Sequence, residues 1–269
     1  MRADTPHISI MAAMSGEGTS VVTRGWRLVR LALHMLQGML TIALLFPIYT
    51  PARRRIAVKR WSHSLLGMLG VKLHVHGEIP RKGAPRGHAS PAMLVANHVS
   101  WLDIYAINAV LPVRFVAKSE IRKWPVIGWL SAKTGTLFIE RARRRDTVRI
   151  SGEIVTAMQR GDVVTVFPEG TTTDGSKVLR FHGSLLQPAL QAEAHVHPVA
   201  LRYERSDGSL CVEAAYDGDK SLWDTLRLIV ARPVIHVHVW FLQSLPAAGA
   251  DRRTLAQAAH AAIADRLKC

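Results

Sequence analysis

The chain has 269 residues, of which 48% are hydrophobic, enough for one large α/β domain with an appendage or for two small domains. Its 35 Lys and Arg residues outnumber 20 Asp and Glu residues, and the net charge of +15 predicts an anionic partner such as a membrane surface or a phosphorylated substrate. Two cysteines exclude a disulfide framework, and the 6% aromatic content, without a zinc-finger or RNA-binding signature, argues against nucleic acid.

The N-terminal part predicts a membrane-associated segment. We expect residues 1–23 to be a disordered lead and residues 24–71 to form a helical hairpin. Residues 31–50 contain no Lys, Arg, Asp or Glu, and twenty such residues can cross about 30 Å of hydrocarbon as a helix. Arginines flank this run on both sides, which suits a segment that dips into one leaflet, followed by an interfacial amphipathic helix over 53–71. A buried hairpin of a soluble protein is the alternative.

The remainder, residues 72–269, predicts an α/β domain with a mixed, largely parallel sheet flanked by helices, because short strands alternate with helices. The strands are expected at 72–76, 92–97, 113–117, 136–140, 162–167, 196–203, 209–214 and 233–242. The helices are expected at 101–110, 119–133 with an interruption at Pro125, 145–160, 183–193, 221–230 and 251–267.

A first candidate site, N-H-V-S-W-L-D, occupies residues 97–103 at the end of an expected strand. His98 stands five positions before Asp103, an arrangement that suits a general base and the carboxylate that orients it. The chain has no G-x-S-x-G nucleophile motif, so the attacking hydroxyl would arrive with the substrate. The alternative needs no chemistry, because Ser100 and Asp103 also fit a helix capping box.

Two further segments end expected strands. Arg141 closes G-T-L-F-I-E-R at residues 135–141, and a guanidinium at the carboxyl end of a strand suits a phosphate or carboxylate. The segment F-P-E-G-T-T-T-D-G covers residues 167–175, where Glu169 could bind substrate hydroxyls and the hydroxyls of residues 171–173 could hold a polar head. An ordinary surface arginine and a plain turn are the alternatives. Residues 197–201, H-P-V-A-L, predict a core strand.

These four segments, in this order, resemble the glycerolipid acyltransferase family that includes 1-acylglycerol-3-phosphate acyltransferases. The family patterns N-H-x-S-x-x-D and G-x-x-F-I-x-R are met at 97–103 and 135–141. The pattern F-P-E-G-T is met at 167–171, and a short apolar run with V/I-P-V is met at 197–200. The resemblance spans about residues 92–203, and the ordered combination is far more specific than any single motif.

The resemblance implies transfer of an acyl group from acyl-CoA or acyl carrier protein to the hydroxyl of 1-acyl-sn-glycerol-3-phosphate, which gives phosphatidate. It implies His98 as general base and Asp103 as its orienter, with the acceptor bound by Arg141, Glu169, Gly170, Thr171, Thr172 and Lys118. The expected partners are membrane lipids, the lysolipid and the acyl donor, at the cytoplasmic face of the inner membrane. No cofactor, metal or nucleic acid is expected.

One departure from the family leaves the acceptor open. The third motif usually carries an arginine, linked to the acceptor phosphate, where this chain has Thr172. A related branch with F-P-E-G-T-[TS]-S-D-G resembles lyso-ornithine lipid O-acyltransferases, so that lipid is the alternative acceptor. A lipid-binding protein without catalysis and a thioester hydrolase are weaker alternatives.

A metal centre is also a weak alternative. Three His-x-His pairs could ligate a metal, but none has a carboxylate or cysteine complement in the sequence. The pairs are His74/His76, His195/His197 and His236/His238.

Overall fold

One eight-stranded mixed sheet organises the computed structural model, which describes residues 18–80, 91–140 and 144–268. The strand order is β1-β7-β6-β2-β5-β3-β4, with β8 paired to β6. All pairings are parallel except β6 with β7 and β6 with β8, which confirms the expected mixed, largely parallel sheet. The strands are β1 (Val71–Gly77), β2 (Ala92–Ala96), β3 (Arg114–Lys118), β4 (Leu137–Ile139), β5 (Val164–Val166), β6 (His195–Glu204), β7 (Ile235–Phe241) and β8 (Leu245–Pro246).

Helices cover both faces of this sheet. The α-helices are α1 (Val21–Leu40), α2 (Pro51–Met68), α3 (Leu102–Val110), α4 (Ile127–Lys133), α5 (Arg144–Gln159), α6 (Gln187–Gln191), α7 (Leu222–Ala231) and α8 (Arg252–Leu267). A π-helical stretch, Thr41–Leu45, continues α1, and 3₁₀ turns at Ser119–Lys123 and Gly183–Leu186 precede α4 and α6. The expected interruption at Pro125 therefore separates a 3₁₀ turn from α4.

Alternate residues of the central strands enter two separate cores. Leu94 and Ala96 of β2 join the core formed with α2, α3 and α7, whereas Met93 and Val95 join the core formed with α5, α6 and α8. Successive side chains of a strand point to opposite faces, so a sheet covered on both sides buries every position of a strand such as β2.

Three sequence-based expectations differ from the structure. Residues 209–214 do not form a strand: they make one bridge, Glu204 with Leu210, and then successive turns. The expected disordered lead overlaps α1, which begins at Val21 with Ser20 as its cap, while residues 1–17 lie outside the described residues. Strand β8 was not expected from the sequence.

The N-terminal helices pack against each other as a hairpin. Trp61 of α2 donates its indole N–H to the carbonyl of His34 in α1 (3.1 Å), and the two rings stack with centroids 4.6 Å apart. A Cβ on Gly38 would lie 2.6 Å from the Trp61 indole nitrogen, so only glycine permits this approach. Among the described residues, one helix, Val21–Leu45, is long and apolar enough to cross a membrane, and only 17% of its apolar window is buried. The division of the chain at residue 72 stays a prediction.

Arg27 links this hairpin by hydrogen bonds to the segment between α7 and β7. Its guanidinium donates to the carbonyls of Val230, Arg232 and Pro233, at 3.2, 2.6 and 2.7 Å. These carbonyls lie at the C-terminal end of α7 and just before β7, where a cation is favoured by the helix dipole.

Two of the three His-x-His pairs meet on adjacent strands, β1 and β7. His74 Nε2 lies 2.9 Å from His236 Nδ1, and His76 Nε2 lies 3.1 Å from His238 Nδ1. Desolvation lowers the pKa of His236 and of His238, and the neighbouring histidines lower both further, although Glu204 opposes this shift. The third pair, on β6, stands apart from this cluster.

Acidification should therefore lower the stability of the folded protein through the histidines of β1 and β7. A histidine with a lowered pKa binds fewer protons in the folded state than in the unfolded state, so stability falls as the pH drops below about 6.5. We expect the melting temperature of the His236→Gln/His238→Gln variant to depend less on pH than that of the wild type between about pH 7 and pH 5. The exposed His63→Gln serves as control, and parallel pH profiles for all three proteins would contradict this expectation.

Candidate active site

The expected site segments converge at one edge of the sheet. Strands β2 and β5 are parallel neighbours with Val95 opposite Val166, so the residues that follow them, His98 and Glu169, emerge side by side. Strand β3 ends at Lys118 opposite Ile139 of β4, again at this edge. Open α/β sheets bind ligands at the carboxyl ends of their strands, which is where these candidate residues lie.

The side chains of His98 and Asp103 are joined by a hydrogen bond. His98 Nδ1 lies 2.8 Å from Asp103 Oδ2. The His98 side chain keeps 21% of its surface exposed, whereas that of Asp103 is fully buried. The ring can therefore reach a substrate while its carboxylate partner is sealed from water.

Asp103 is surrounded by donors. Its Oδ2 also accepts the backbone N–H groups of Val99 (2.8 Å) and Ser100 (3.0 Å), and its Oδ1 accepts the Tyr203 hydroxyl (2.6 Å). Asp103 also stands in the first turn of α3, where the helix dipole favours a negative charge. The carboxylate thus bonds the turn before α3 and the imidazole at once. Of the expected capping box, only the bond from the Ser100 N–H to Asp103 is formed, because Ser100 Oγ accepts the N–H of Leu102.

This environment fixes the tautomer of His98. A carboxylate that already receives three other donors acts as an acceptor, so we assign the proton to His98 Nδ1. The Nε2 atom then carries a lone pair, which is the property that a general base needs. Burial and the nearby Asp103 charge raise the pKa of Tyr203 well above its ordinary value, which keeps its hydroxyl a donor.

Two motif residues to which the sequence assigned no role, Phe167 and Asn97, support the His98 ring and its loop. The Phe167 ring stacks on His98, with centroids 3.9 Å apart and an interplanar angle of 12°. Asn97 is buried and exchanges two hydrogen bonds with the backbone of Leu201 in β6, at 2.9 and 2.7 Å. Asn97 and Phe167 are each the first residue of a motif, and Tyr203 ends an expected strand, but residue type alone gave no signal for these contacts.

Glu169 is only 4% exposed, and both oxygens of its carboxylate accept hydrogen bonds from backbone N–H groups. Its Oε1 accepts the N–H of His98 (2.7 Å), and its Oε2 accepts the N–H of Leu179 (2.8 Å). Burial raises the pKa of Glu169, while these two donors and the His98 charge act in the opposite direction. The geometry therefore favours a role in holding the loop that carries His98, and the acceptor-binding role stays a prediction.

The third motif forms a turn beside His98. Gly170 adopts a φ of +78°, which favours glycine, and donates its N–H to the Phe167 carbonyl (3.2 Å). Thr173 is buried and donates its N–H to the His98 carbonyl (3.0 Å). Thr172 donates its hydroxyl to the carbonyl of Tyr216, and the side chain of Thr171 is exposed.

Of the two cations expected in the acceptor site, Lys118 and Arg141, the structure describes only Lys118. Lys118 is exposed at the end of β3, whereas Arg141 lies outside the described residues. Within the described ranges, no group of three His, Cys, Asp or Glu side chains is placed to hold a metal.

The Glu169→Gln variant separates loop support from acceptor binding. The amide nitrogen of Gln would face a backbone N–H donor, so we expect about 1.5–3 kcal/mol lower unfolding free energy and a lower kcat. The KM for the acceptor should change little, with the exposed Glu193→Gln as matched control. A raised acceptor KM at unchanged stability would instead assign Glu169 to acceptor binding.

Comparisons with known proteins agree with this geometry. An acyltransferase family model matches residues 72–202. The chain is 39% identical over 214 residues to the lyso-ornithine lipid O-acyltransferase of Pseudomonas aeruginosa, covering 80% of this chain and 79% of that protein. It is 37% identical over 203 residues to the 1-acyl-sn-glycerol-3-phosphate acyltransferase of Neisseria meningitidis serogroup B, covering 76% of this chain and 77% of that protein.

The fold also matches a solved structure. The 1-acyl-sn-glycerophosphate acyltransferase PlsC from Thermotoga maritima superimposes with a TM-score of 0.63, covering 90% of this chain and 96% of that one, at 20% sequence identity. At this identity the likeness shows a shared fold. Together with the extensive similarity to the two curated enzymes, it confirms the resemblance on which the sequence analysis depended: the chain belongs to the lysolipid acyltransferase family.

Proposed function

We propose that the chain transfers a fatty acyl group from a thioester of coenzyme A or acyl carrier protein to the free hydroxyl of a lysolipid, with His98 as general base. The observation that carries this proposal is the hydrogen bond between His98 Nδ1 and the buried Asp103 (2.8 Å) at the carboxyl edge of the sheet. It leaves Nε2 of a partly exposed ring as the proton acceptor.

The reaction then balances without a covalent enzyme intermediate. His98 Nε2 takes the hydroxyl proton as the acceptor oxygen forms a bond to the thioester carbonyl carbon. The tetrahedral intermediate collapses, the carbon–sulfur bond breaks, and the imidazolium returns its proton to the departing thiolate. The buried Asp103 stabilises the imidazolium between these two transfers, as in a hydrolase triad.

The size of this contribution follows from known general base catalysis. A positioned base accelerates a reaction by about 10²–10⁴-fold, which corresponds to roughly 3–5.5 kcal/mol of barrier. A metal is not required for this step, because the proton acceptor and its orienting carboxylate come from the chain itself.

A membrane location suits such a substrate. Burying each acyl methylene in lipid is worth about 0.8 kcal/mol, so extracting a long chain into water would be costly. Helix α1 and its π-helical continuation expose a series of large apolar side chains that can enter the bilayer: Val22, Trp26, Val29, Leu33, Leu36, Leu40 and Leu44. We infer the cytoplasmic face of the inner membrane, because the basic flanks suit the anionic lipids there.

We infer two candidate acceptors. For 1-acyl-sn-glycerol-3-phosphate, Lys118 and Arg141 would bind the phosphate. Lyso-ornithine lipid is favoured by Thr172, whose uncharged hydroxyl is already bonded to the Tyr216 carbonyl. Curated relatives of both kinds are similar to this chain, so the residue at position 172 is the more discriminating observation.

The base assignment is tested with His98→Ala and Asp103→Asn. We expect kcat to fall by about 10²–10⁴-fold in the His98 variant, with circular dichroism and melting temperature close to the wild type. The measurement follows thiol release and the acylated lipid together, so hydrolysis to free fatty acid is detected separately. His195→Ala, at the opposite end of the sheet, is the control. Turnover of His98→Ala near the wild-type value would refute the assignment.

The acceptor is tested with Thr172→Arg. An added guanidinium should bind phosphate through charge-assisted hydrogen bonds worth at least about 1 kcal/mol, so use of 1-acyl-sn-glycerol-3-phosphate relative to lyso-ornithine lipid should rise about five-fold. Thr172→Gln removes the hydroxyl without adding charge and serves as control. Equal preference ratios in the wild type and both variants would contradict the phosphate-site argument.

A further inference from the structure

A second apolar and basic surface lies on the α/β domain itself, in the connection from β3 to β4. Trp124, Val126 and Trp129 are 38%, 39% and 38% exposed, and Arg122 and Lys123 beside them are exposed as well. These five residues are called the Trp patch below. Tryptophan and basic residues together are the composition that proteins place at the headgroup level of a bilayer.

The backbone holds the Trp patch in a defined shape. Val126 has a φ of +62° and a ψ of −61° and is the central residue of a γ-turn closed by the Ile127 N–H and the Pro125 carbonyl (2.6 Å). A Cβ on Gly128 would lie 2.4 Å from the Arg122 carbonyl oxygen, so the 3₁₀ turn and α4 are in tight contact. The exposure of these apolar side chains is thus built into the fold.

The Trp patch and the part of the hairpin that contains Arg27 lie at the same end of the sheet, where strands β2 and β3 end and β7 begins. The patch follows Lys118, the last residue of β3, which is parallel to β5 and, through it, to β2. Strand β7 runs antiparallel to β6, which is parallel to β2, so β7 begins at the edge where β2 ends. Arg27 of the hairpin binds the Pro233 carbonyl just before β7, and His98 follows β2 between the two surfaces.

We propose that the Trp patch is a second membrane contact that docks on anionic lipid headgroups. The proposal rests on the proposed function for its lipid substrate and extends it, because the bilayer then touches the catalytic domain on both sides of His98. Arg122 and Lys123 meet the anionic headgroups, while Trp124, Val126 and Trp129 enter the interface. The two contacts together orient the edge that carries His98 toward the lipid surface.

The charged part is tested by vesicle flotation of the full chain. We compare Arg122→Gln/Lys123→Gln with Arg252→Gln/Arg253→Gln, a matched pair of exposed arginines at the start of α8. Each lost cation should weaken binding to phosphatidylglycerol-containing vesicles about five-fold. Binding to pure phosphatidylcholine vesicles should not change, and the α8 pair should behave like the wild type on both.

The apolar part is tested with Trp124→Ser/Trp129→Ser. This variant should bind both kinds of vesicle more weakly, because burial of apolar area does not depend on lipid charge, while helix α1 still enters the bilayer. Trp223→Ser, which removes a 54% exposed tryptophan on α7, is the control. On a short-chain lysolipid below its micelle concentration, kcat should stay at the wild-type value in all variants.

Failure of this proposal can be distinguished from failure of the proposed acyltransferase function. Wild-type vesicle binding by both patch variants overturns the proposal. Unchanged vesicle binding with a raised KM for acyl carrier protein, but not for acyl-CoA, also overturns it and assigns the Trp patch to an acidic protein. Weaker vesicle binding by the patch variants supports the proposal even if the wild type transfers no acyl group, since flotation does not depend on catalysis.

Discussion

The buried carboxylate of Asp103 is the group on which the candidate site depends. A buried charge is costly unless donors surround it, and Asp103 receives four: the His98 ring, two backbone N–H groups and the Tyr203 hydroxyl. The Tyr203 donor comes from β6, so the orientation of His98 requires β6 to be in register beside β2. The hydrogen bonds that orient His98 therefore depend on the correct pairing of β6 with β2.

A second buried carboxylate joins the loops around His98. Glu169 accepts the backbone N–H of His98, and the N–H of Thr173 binds the His98 carbonyl, so the loops after β2 and β5 share their backbone hydrogen bonds. Buried backbone groups must find such partners, because unpaired ones destabilise the fold. The N-terminal helical hairpin also contacts α3, the helix that carries Asp103. The ring centroids of Trp61 in the hairpin and Tyr105 in α3 are 5.8 Å apart.

The sequence predicted the parts of this arrangement that are local. His98 and Asp103 are five residues apart, at a junction of strand and helix that hydrophobic patterning reveals, and the four motifs gave the family. The contact of Tyr203 with Asp103 joins residues 100 positions apart and depends on strand order, which the sequence pattern does not encode. For the same reason the histidines of β1 and β7 looked like separate pairs. Residues 209–214 looked like a strand, although they make only one bridge to β6, Glu204 with Leu210.

The most direct measurement of the central claim is the protonation pattern of the His98 ring. Two-bond ¹H–¹⁵N correlation spectra of histidine-labelled protein, assigned with His98→Gln, distinguish a proton on Nδ1 from a proton on Nε2. For the uncharged ring we expect the proton on Nδ1, bonded to Asp103, and a bare Nε2. A proton on Nε2 would leave no base for the acceptor hydroxyl and would contradict the account.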